Sequence, residues 1–324
     1  MNRGNPAIAI IGAGAVGTYY GARLAQHGQD VHFLLRSDYD TVAKNGMVIQ
    51  SCAGDFSLTP NELKIYRDVR EMPKADCVIV TLKTTSNELF EPLIRPLIKD
   101  ETDILTLQNG LGNEDQLAGL FGAERILGGM AFTCINRIGP GVIAHTSHGY
   151  IRIGEFRGGP SERASVLSEM FNQGNVPCDV LPSLAYGRWE KLLWNFPFNG
   201  LSAVLDQTTD RLLSTPQGEQ LVEEIMREVI AAAGSDGVTL PASLIPTNIS
   251  RTHEMGAYRT SMHIDRQMRR PMEVEAILGE PVRRAAANGI ATPCMKTLYH
   301  LAAMTAKGLI RRTDRPRATT KRDV

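Results

Sequence analysis

Residues 7–17 read Ala-Ile-Ala-Ile-Ile-Gly-Ala-Gly-Ala-Val-Gly, an apolar run that passes straight into a glycine-rich turn. Ala7–Ile11 predicts a strand covered on both faces, because the run is continuous rather than alternating. Ala15–His27 follows at helical spacing, and Val31–Leu35 supplies a second apolar strand. A lone G-x-G-x-x-G is weak evidence, but strand, glycines, helix and strand in this order mark a dinucleotide-binding turn. In such a turn Gly12 serves the tight bend, Gly14 lets the backbone approach a pyrophosphate, and Gly17 lets helix and strand pack closely. The free N–H groups and positive end of the helix would receive the phosphate charge. Gly12, Ala13, Gly14, Ala15, Val16 and Gly17 are thus candidate cofactor-binding residues.

The end of the second strand selects the nucleotide. An acidic residue there binds the ribose hydroxyls of NAD, whereas an Arg accommodates the 2′-phosphate of NADP. The chain has Leu34-Leu35-Arg36-Ser37, with Asp38 two residues beyond Arg36. Arg36 offers a planar fork of donors suited to phosphate, so NADP is the expected cofactor. Two further strand ends carry polar residues, Lys83 after Thr81-Leu82 and Asn109 within Gln108-Asn109-Gly110. Each has a plain alternative, a snorkelling side chain for Lys83 and an ordinary turn for Asn109-Gly110.

Outward from the turn, Cys77–Leu82 and Asp103–Leu107 read as further strands, with Asn87–Ile98 helical between them. Strand–helix alternation favours a parallel doubly wound sheet. Between Ile126 and Glu155 the texture becomes antiparallel, with turn residues expected at Gly139–Gly141 and Ser147–Gly149. A helix at Ala164–Phe171 and a strand at Cys178–Leu181 follow, after which strand patterns cease. Trp189–Phe196, Gln220–Ala233, Glu273–Ala287 and Met295–Ile310 all read as helices. The expected fold is therefore α/β: a Rossmann-type doubly wound NADP-binding domain over residues 1–183, then an all-α domain over 184–312. The polar, basic end, residues 313–324, reads as a solvated tail.

Composition bounds the function. The 324 residues carry 35 basic and 35 acidic side chains, which argues against a general nucleic-acid binder. Hydrophobic residues at 43% and charged ones at 22% fit a folded chain rather than a disordered or collagen-like one. The five cysteines stand apart without a C-x-x-C pair, so no metal is called for. Cys77, Cys134 and Cys178 read as small core residues of strands. No stretch approaches the 18 apolar residues or more of a membrane span, and a cytoplasmic enzyme is the expectation.

Catalytic candidates lie in the helical half. Lys191, Asn195 and Asn199 recur every fourth residue in WEKLLWNFPFNG, which lays them along one helical stripe. Among Trp189, Leu192, Leu193, Trp194, Phe196 and Phe198, a lysine would be partly desolvated, a condition that tunes such a group for proton transfer. The alternative is an amphipathic helix with its polar face in water. Pro197 predicts a kink that presents Asn199 from a bend. Ser261 and Glu273, in SMHIDRQMRRPMEVEAILG, are the other candidates. Ser261 also suits a helix N-cap, and Glu273 and Glu275 also suit the first turn of a helix. Side-chain chemistry alone does not choose.

Strand–GAGAVG–helix, TLK, QNG, VIAHTSHGYIRIGE, WEKLLWNFPFN and SMHIDRQMRRPMEVEAILG occur in the order seen in the ketopantoate reductase (2-dehydropantoate 2-reductase) family, which the chain resembles from about residue 7 to 310. The resemblance implies NADPH-dependent reduction of 2-dehydropantoate to pantoate, a step of pantothenate and coenzyme A biosynthesis. It implies that Lys191 is the catalytic lysine and Glu273 the active-site glutamate, also near the nicotinamide ribose. Asn195, Asn199 and Ser261 match substrate-binding positions, and Asn109 one that serves cofactor and substrate. Arg36 and Lys83 match residues associated with NADPH. A further family asparagine is not recognisable, and Thr209 stands near its place. That departure keeps open a related reductase of another small 2-oxo acid; a non-catalytic NADP-binding protein is the third reading. No nucleic-acid or membrane partner is expected, and a homodimer is compatible with a helical second domain.

Overall fold

The computed structural model describes residues 5–313. Of the basic tail read at 313–324, only Thr313 is among them; the rest lies outside the described residues. The chain forms two compact units, Met1–Arg188 and Trp189–Val324.

The first unit is built on one ten-stranded sheet. Its elements are β1 (Ala7–Ile11), α1 (Ala15–Gln26), β2 (Asp30–Leu34), α2 (Tyr39–Asn45), β3 (Met47–Ser51), β4 (Phe56–Leu58), β5 (Lys64–Tyr66) and β6 (Cys77–Val80). Then come α3 (Phe90–Ile94), β7 (Asp103–Thr106), α4 (Asn113–Phe121), β8 (Ile126–Gly139), β9 (Val142–Glu155), α5 (Glu162–Gln173) and β10 (Cys178–Val180). Strand order is β4-β3-β9-β8-β7-β6-β1-β2-β5, with β10 paired to β9. From β8 through β5 every pairing is parallel, Ile8 facing Val31 on one side and Cys77 on the other. From β1 the chain passes to β2, crosses to β3 and β4 beyond β9, returns to β5 and then resumes on the other side of β1 at β6. The strand order therefore reverses at β1, which is where open α/β sheets bind ligands.

Both faces of this sheet are covered, as the continuous apolar strands predict. Ile8 and Ile10 join a core with Tyr20 and Leu24 of α1 and Phe171 of α5. Their neighbours Ala9 and Ile11 join a second core with Phe90 and Ile94 of α3 and Leu117 of α4. Each fully buried isoleucine contributes about 1.5–3 kcal/mol. Cys77 and Cys178 are buried in these layers, and burial pushes the Cys178 thiol up to about 12. Cys134 is only half-buried, so the core reading holds for two of the three cysteines.

Two local expectations are corrected in this unit. The helix read over Asn87–Ile98 is a 3-10 turn at Thr84–Leu89, the short α3, and another 3-10 turn at Arg95–Leu97. Pro96 has no N–H to continue the helical ladder, and Ser86 is non-helical at φ −128°. The second expected turn, Ser147–Gly149, is instead a bulge inside β9. The register slips there, with His148 at φ 61° and Gly149 at φ 117°. Residues 36–76 also form structure that short-range patterning did not reveal. In β3, buried Met47 and Ile49 alternate with exposed Val48 and Gln50, the pattern of a half-buried strand.

Helix α6 (Leu184–Leu205) starts in the first unit, where Gly187 packs against Met130 and Leu181 so closely that a Cβ would sit 2.6 Å from the Met130 methyl. Residues 184–188 are therefore helical but belong with the sheet, which puts the unit boundary inside the helix. α6 then continues as one helix through Pro197.

The second unit is helical throughout its described residues: α7 (Thr209–Leu212), α8 (Pro216–Ser235), α9 (Leu244–Met255), α10 (Ser261–Gln267), α11 (Glu280–Ala287) and α12 (Pro293–Thr313). α6 is its spine. The Trp189 indole donates to Asp236 after α8 at 3.0 Å, and the Trp194 indole donates to Thr252 of α9 at 2.9 Å. Gly200 lies against Leu298 of α12, where a Cβ would come within 2.6 Å. The helix read over Glu273–Ala287 is a π turn at Glu275–Gly279 leading into α11. No described helix is long and apolar enough to cross a membrane.

Candidate active site

Parallel neighbours end on the same edge of a sheet. Because β7, β6, β1 and β2 are consecutive and parallel, the Gly12–Gly17 turn, Arg36, Lys83 and Asn109 all emerge at one edge. Gly12 adopts φ 99°, and a Cβ there would lie 2.4 Å from the Leu82 nitrogen. A Cβ on Gly17 would meet Thr81 Oγ1 at 2.3 Å and the Gly12 carbonyl at 2.7 Å. These two glycines allow β1, α1 and the end of β6 to close on each other, an approach sealed by Thr81 Oγ1 donating to the Gly12 carbonyl at 2.7 Å. Gly14 differs. Its nearest would-be neighbour is the Gly12 carbonyl at 3.9 Å, so space is open at the start of α1 where a pyrophosphate would lie. The cradle fits a dinucleotide.

At the end of β2, Arg36 and Ser37 are exposed while Asp38 is buried. The Asp38 carboxylate accepts hydrogen bonds from Arg137, from the Gly141 N–H at 3.0 Å and from the Ser37 hydroxyl at 2.9 Å. Burial would raise its pKa, but the Arg137 guanidinium and the two other donors outweigh that and hold it below the usual carboxylate range. Asp38 thus pins the β2–α2 loop to the β8–β9 hairpin, and Arg36 is the residue presented outward.

The Asn109 loop is held by a buried polar network. The Gln108 amide donates to the Leu82 carbonyl and to Asn87 Oδ1, both at 2.9 Å, and accepts from Thr106 Oγ1. Asn113 donates to the Asn109 carbonyl at 2.9 Å, and Arg188 Nη1 to the Gln108 carbonyl at 2.7 Å. Arg188 is itself paired with Glu114. Asn87 and Arg188 stand 21 and 80 residues from Gln108, so no local pattern marks them as supports of this loop.

In the second unit α6 carries Lys191, half-buried, with Asn195 and Asn199, both buried. Asn199 Oδ1 accepts from the Ser261 hydroxyl and from the Met262 N–H, each at 3.2 Å. Two candidates 62 residues apart in sequence are therefore brought into contact. Ser261 is not the N-cap of α10. Thr260 is, its hydroxyl accepting from the His263 N–H, which leaves the Ser261 side chain exposed in the first turn. The two acids of the MEVE segment diverge. Glu275 is exposed and pairs with Arg283 and Tyr299, whereas Glu273 is 3% exposed. A first-turn role at the surface suits Glu275 but not Glu273.

The family model described as Ketopantoate reductase PanE/ApbA matches residues 8–158, and Ketopantoate reductase PanE/ApbA C terminal matches residues 183–306. The chain belongs to the ketopantoate reductase family. It is 44% identical over 297 residues to the 2-dehydropantoate 2-reductase of Nostoc sp., covering 90% of this chain and 92% of that one. Among solved structures it is similar to 2-dehydropantoate 2-reductase from Geobacter metallireducens, with 47% identity and a TM-score of 0.89 over 92% of this chain and 99% of that one. A second, from Methylococcus capsulatus, has 34% identity and a TM-score of 0.85 over 95% and 98%. The α/β plus all-α architecture read from the sequence is that of this ketopantoate reductase family.

Against the family pattern, Thr209 has a structural task of its own. It is fully buried, its hydroxyl donating to the Gly256 carbonyl at 3.1 Å and its N–H to the Tyr258 carbonyl at 3.0 Å. It ties α7 to the loop before α10.

Proposed function

We propose that this ketopantoate reductase reduces 2-dehydropantoate to pantoate with NADPH, the nucleotide handled by residues 1–183 and the substrate chemistry by 184–312. The observation that supports this most is the Asn199–Ser261 contact, because it joins the two motif blocks most specific to the family on one buried amide.

Bound NADPH supplies the hydride that the substrate's carbonyl carbon accepts. The chain's own task is to bind, orient and protonate. Gly12 to Gly17 cradle the pyrophosphate at the start of α1, Arg36 receives the 2′-phosphate, and Lys83 adds positive charge near the nucleotide. As the carbonyl carbon gains a hydride its oxygen becomes an alkoxide. Lys191, as an ammonium, stabilises that charge and gives it the proton. Glu273 would hold the substrate hydroxyl or orient Lys191, and would have a second role toward the nicotinamide ribose. Asn195, Asn199 and Ser261 hold substrate hydroxyl and carboxylate groups, and Asn109 serves both ligands, because fixed orientation itself lowers the barrier. We place the enzyme in the cytoplasm, with a homodimer as its assembly.

Lys191→Ala tests the assignment. Loss of the general acid should lower kcat by about 10²–10⁴-fold, while NADPH binding measured by fluorescence titration stays near that of the unmodified protein. An unchanged kcat would remove Lys191 from the mechanism.

A further inference from the structure

We propose that Arg188, held by Glu114, is a positioning residue of the reaction: it locks the Gln108–Asn109 peptide and so aims the Asn109 amide. The proposal rests on the reading of Asn109 given above.

Asn109 is fixed from both sides. The carbonyl of the peptide before it, that of Gln108, accepts from Arg188 Nη1 at 2.7 Å. The carbonyl of the peptide after it, its own, accepts from Asn113 Nδ2 at 2.9 Å. With both flanking peptides held, the direction of the Asn109 Cα–Cβ bond is set by the network rather than by a free turn. Gly110 and Gly112, at φ 84° and 83°, bend the chain back so that α4 begins beneath the loop and delivers Glu114 from its first turn.

Glu114 then receives Arg188 Nε at 2.9 Å and Nη2 at closer range, while Nη2 also lies 3.5 Å from the Thr106 carbonyl. Only a guanidinium can meet a carboxylate and a loop carbonyl in one plane; an ammonium cannot. The two side chains are 4% and 5% exposed. Space is made for the pair by Gly128, where a Cβ would fall 2.4 Å from Glu114 Oε1. A buried ion pair is poor evidence of a contribution to stability, because apolar replacements of similar volume often serve as well. This one earns its place through geometry, since its free donor ends on the peptide that carries Asn109.

A double-mutant cycle tests this, reading kcat and KM for NADPH and 2-dehydropantoate with thermal unfolding alongside. Arg188→Lys should lower kcat/KM about ten- to a hundredfold, the scale of a small misplacement of a positioned group. In an Asn109→Ala background the same change should cost less than about twofold, because the group it positions is gone. If Arg188→Lys does not fold, Glu114→Gln replaces it in the cycle with the same expectation. Losses that multiply independently, or a silent Arg188→Lys, overturn the proposal alone. A silent Asn109→Ala overturns the reading of Asn109 and the proposal with it.

Discussion

At the sheet edge of the first unit, every candidate residue stands just beyond a parallel strand, in Gly12–Gly17, Arg36, Lys83 and Asn109. In the second unit the candidates lie inside α6, in the first turn of α10 and in the buried stretch before α11. The first arrangement is dictated by topology: once four strands are parallel neighbours, their ends must converge. The second is dictated by packing of helices, so a polar residue one turn away from another can equally face water. Residues at strand ends are thereby recognisable as a group, whereas residues on a helix are recognisable only when a partner from another helix meets them, as Ser261 meets Asn199.

Changes in each unit should break one function and spare the other. Asn199→Ala removes the acceptor shared by Ser261 and the Met262 N–H. It should lower kcat/KM for 2-dehydropantoate about a hundredfold, with NADPH affinity retained. A parallel loss of NADPH binding would erase the contrast. Gly17→Ala acts on the fold of the first unit. Its methyl would meet Thr81 and the Gly12 carbonyl below contact distance, a strain of about 1–3 kcal/mol that lowers the thermal midpoint. A midpoint unchanged from the unmodified protein would mean that α1 and β6 yield easily.

Arg36→Ala should sharpen the comparison further. It should weaken NADPH about tenfold, the worth of roughly one charge-assisted contact, while NADH affinity and the KM for the 2-oxo acid hold. Equal binding of both nucleotides by the unmodified protein would contradict an NADP preference. The smallest effect concerns Asp38. Its folded pKa is depressed, so its contribution is fully present above the unfolded value of about 3.9 and is lost as pH falls through the folded one. Urea unfolding should therefore show Asp38→Asn losing less stability on acidification than the unmodified protein. The difference should stay within about 1 kcal/mol, because Arg137 is partly in water. Identical pH slopes would separate Asp38 from acid sensitivity.

Much of the first unit was legible because its signals are local. β1 is found where continuous apolar residues put it, and the three glycines have distinct surroundings that match their spacing. What stayed hidden was non-local or ambiguous. Arg188 and Glu114 are 74 residues apart, and neither belongs to a recognisable motif. His148 and Gly149 use the same residue types as a turn to make a bulge. In the helical unit, Ser261 and Thr260 compete as caps by one position, and only the hydroxyl that meets the His263 N–H decides. Burial separates Glu273 from Glu275 although both suit a helix start.

Oxidation of NADPH followed across a panel of small 2-oxo acids tests the central claim most directly. 2-Dehydropantoate should show the highest kcat/KM of the panel, with turnover in Lys191→Ala lowered by about 10²–10⁴-fold. A different acid that clearly outruns it, or no NADPH oxidation with any of them, would contradict the assignment.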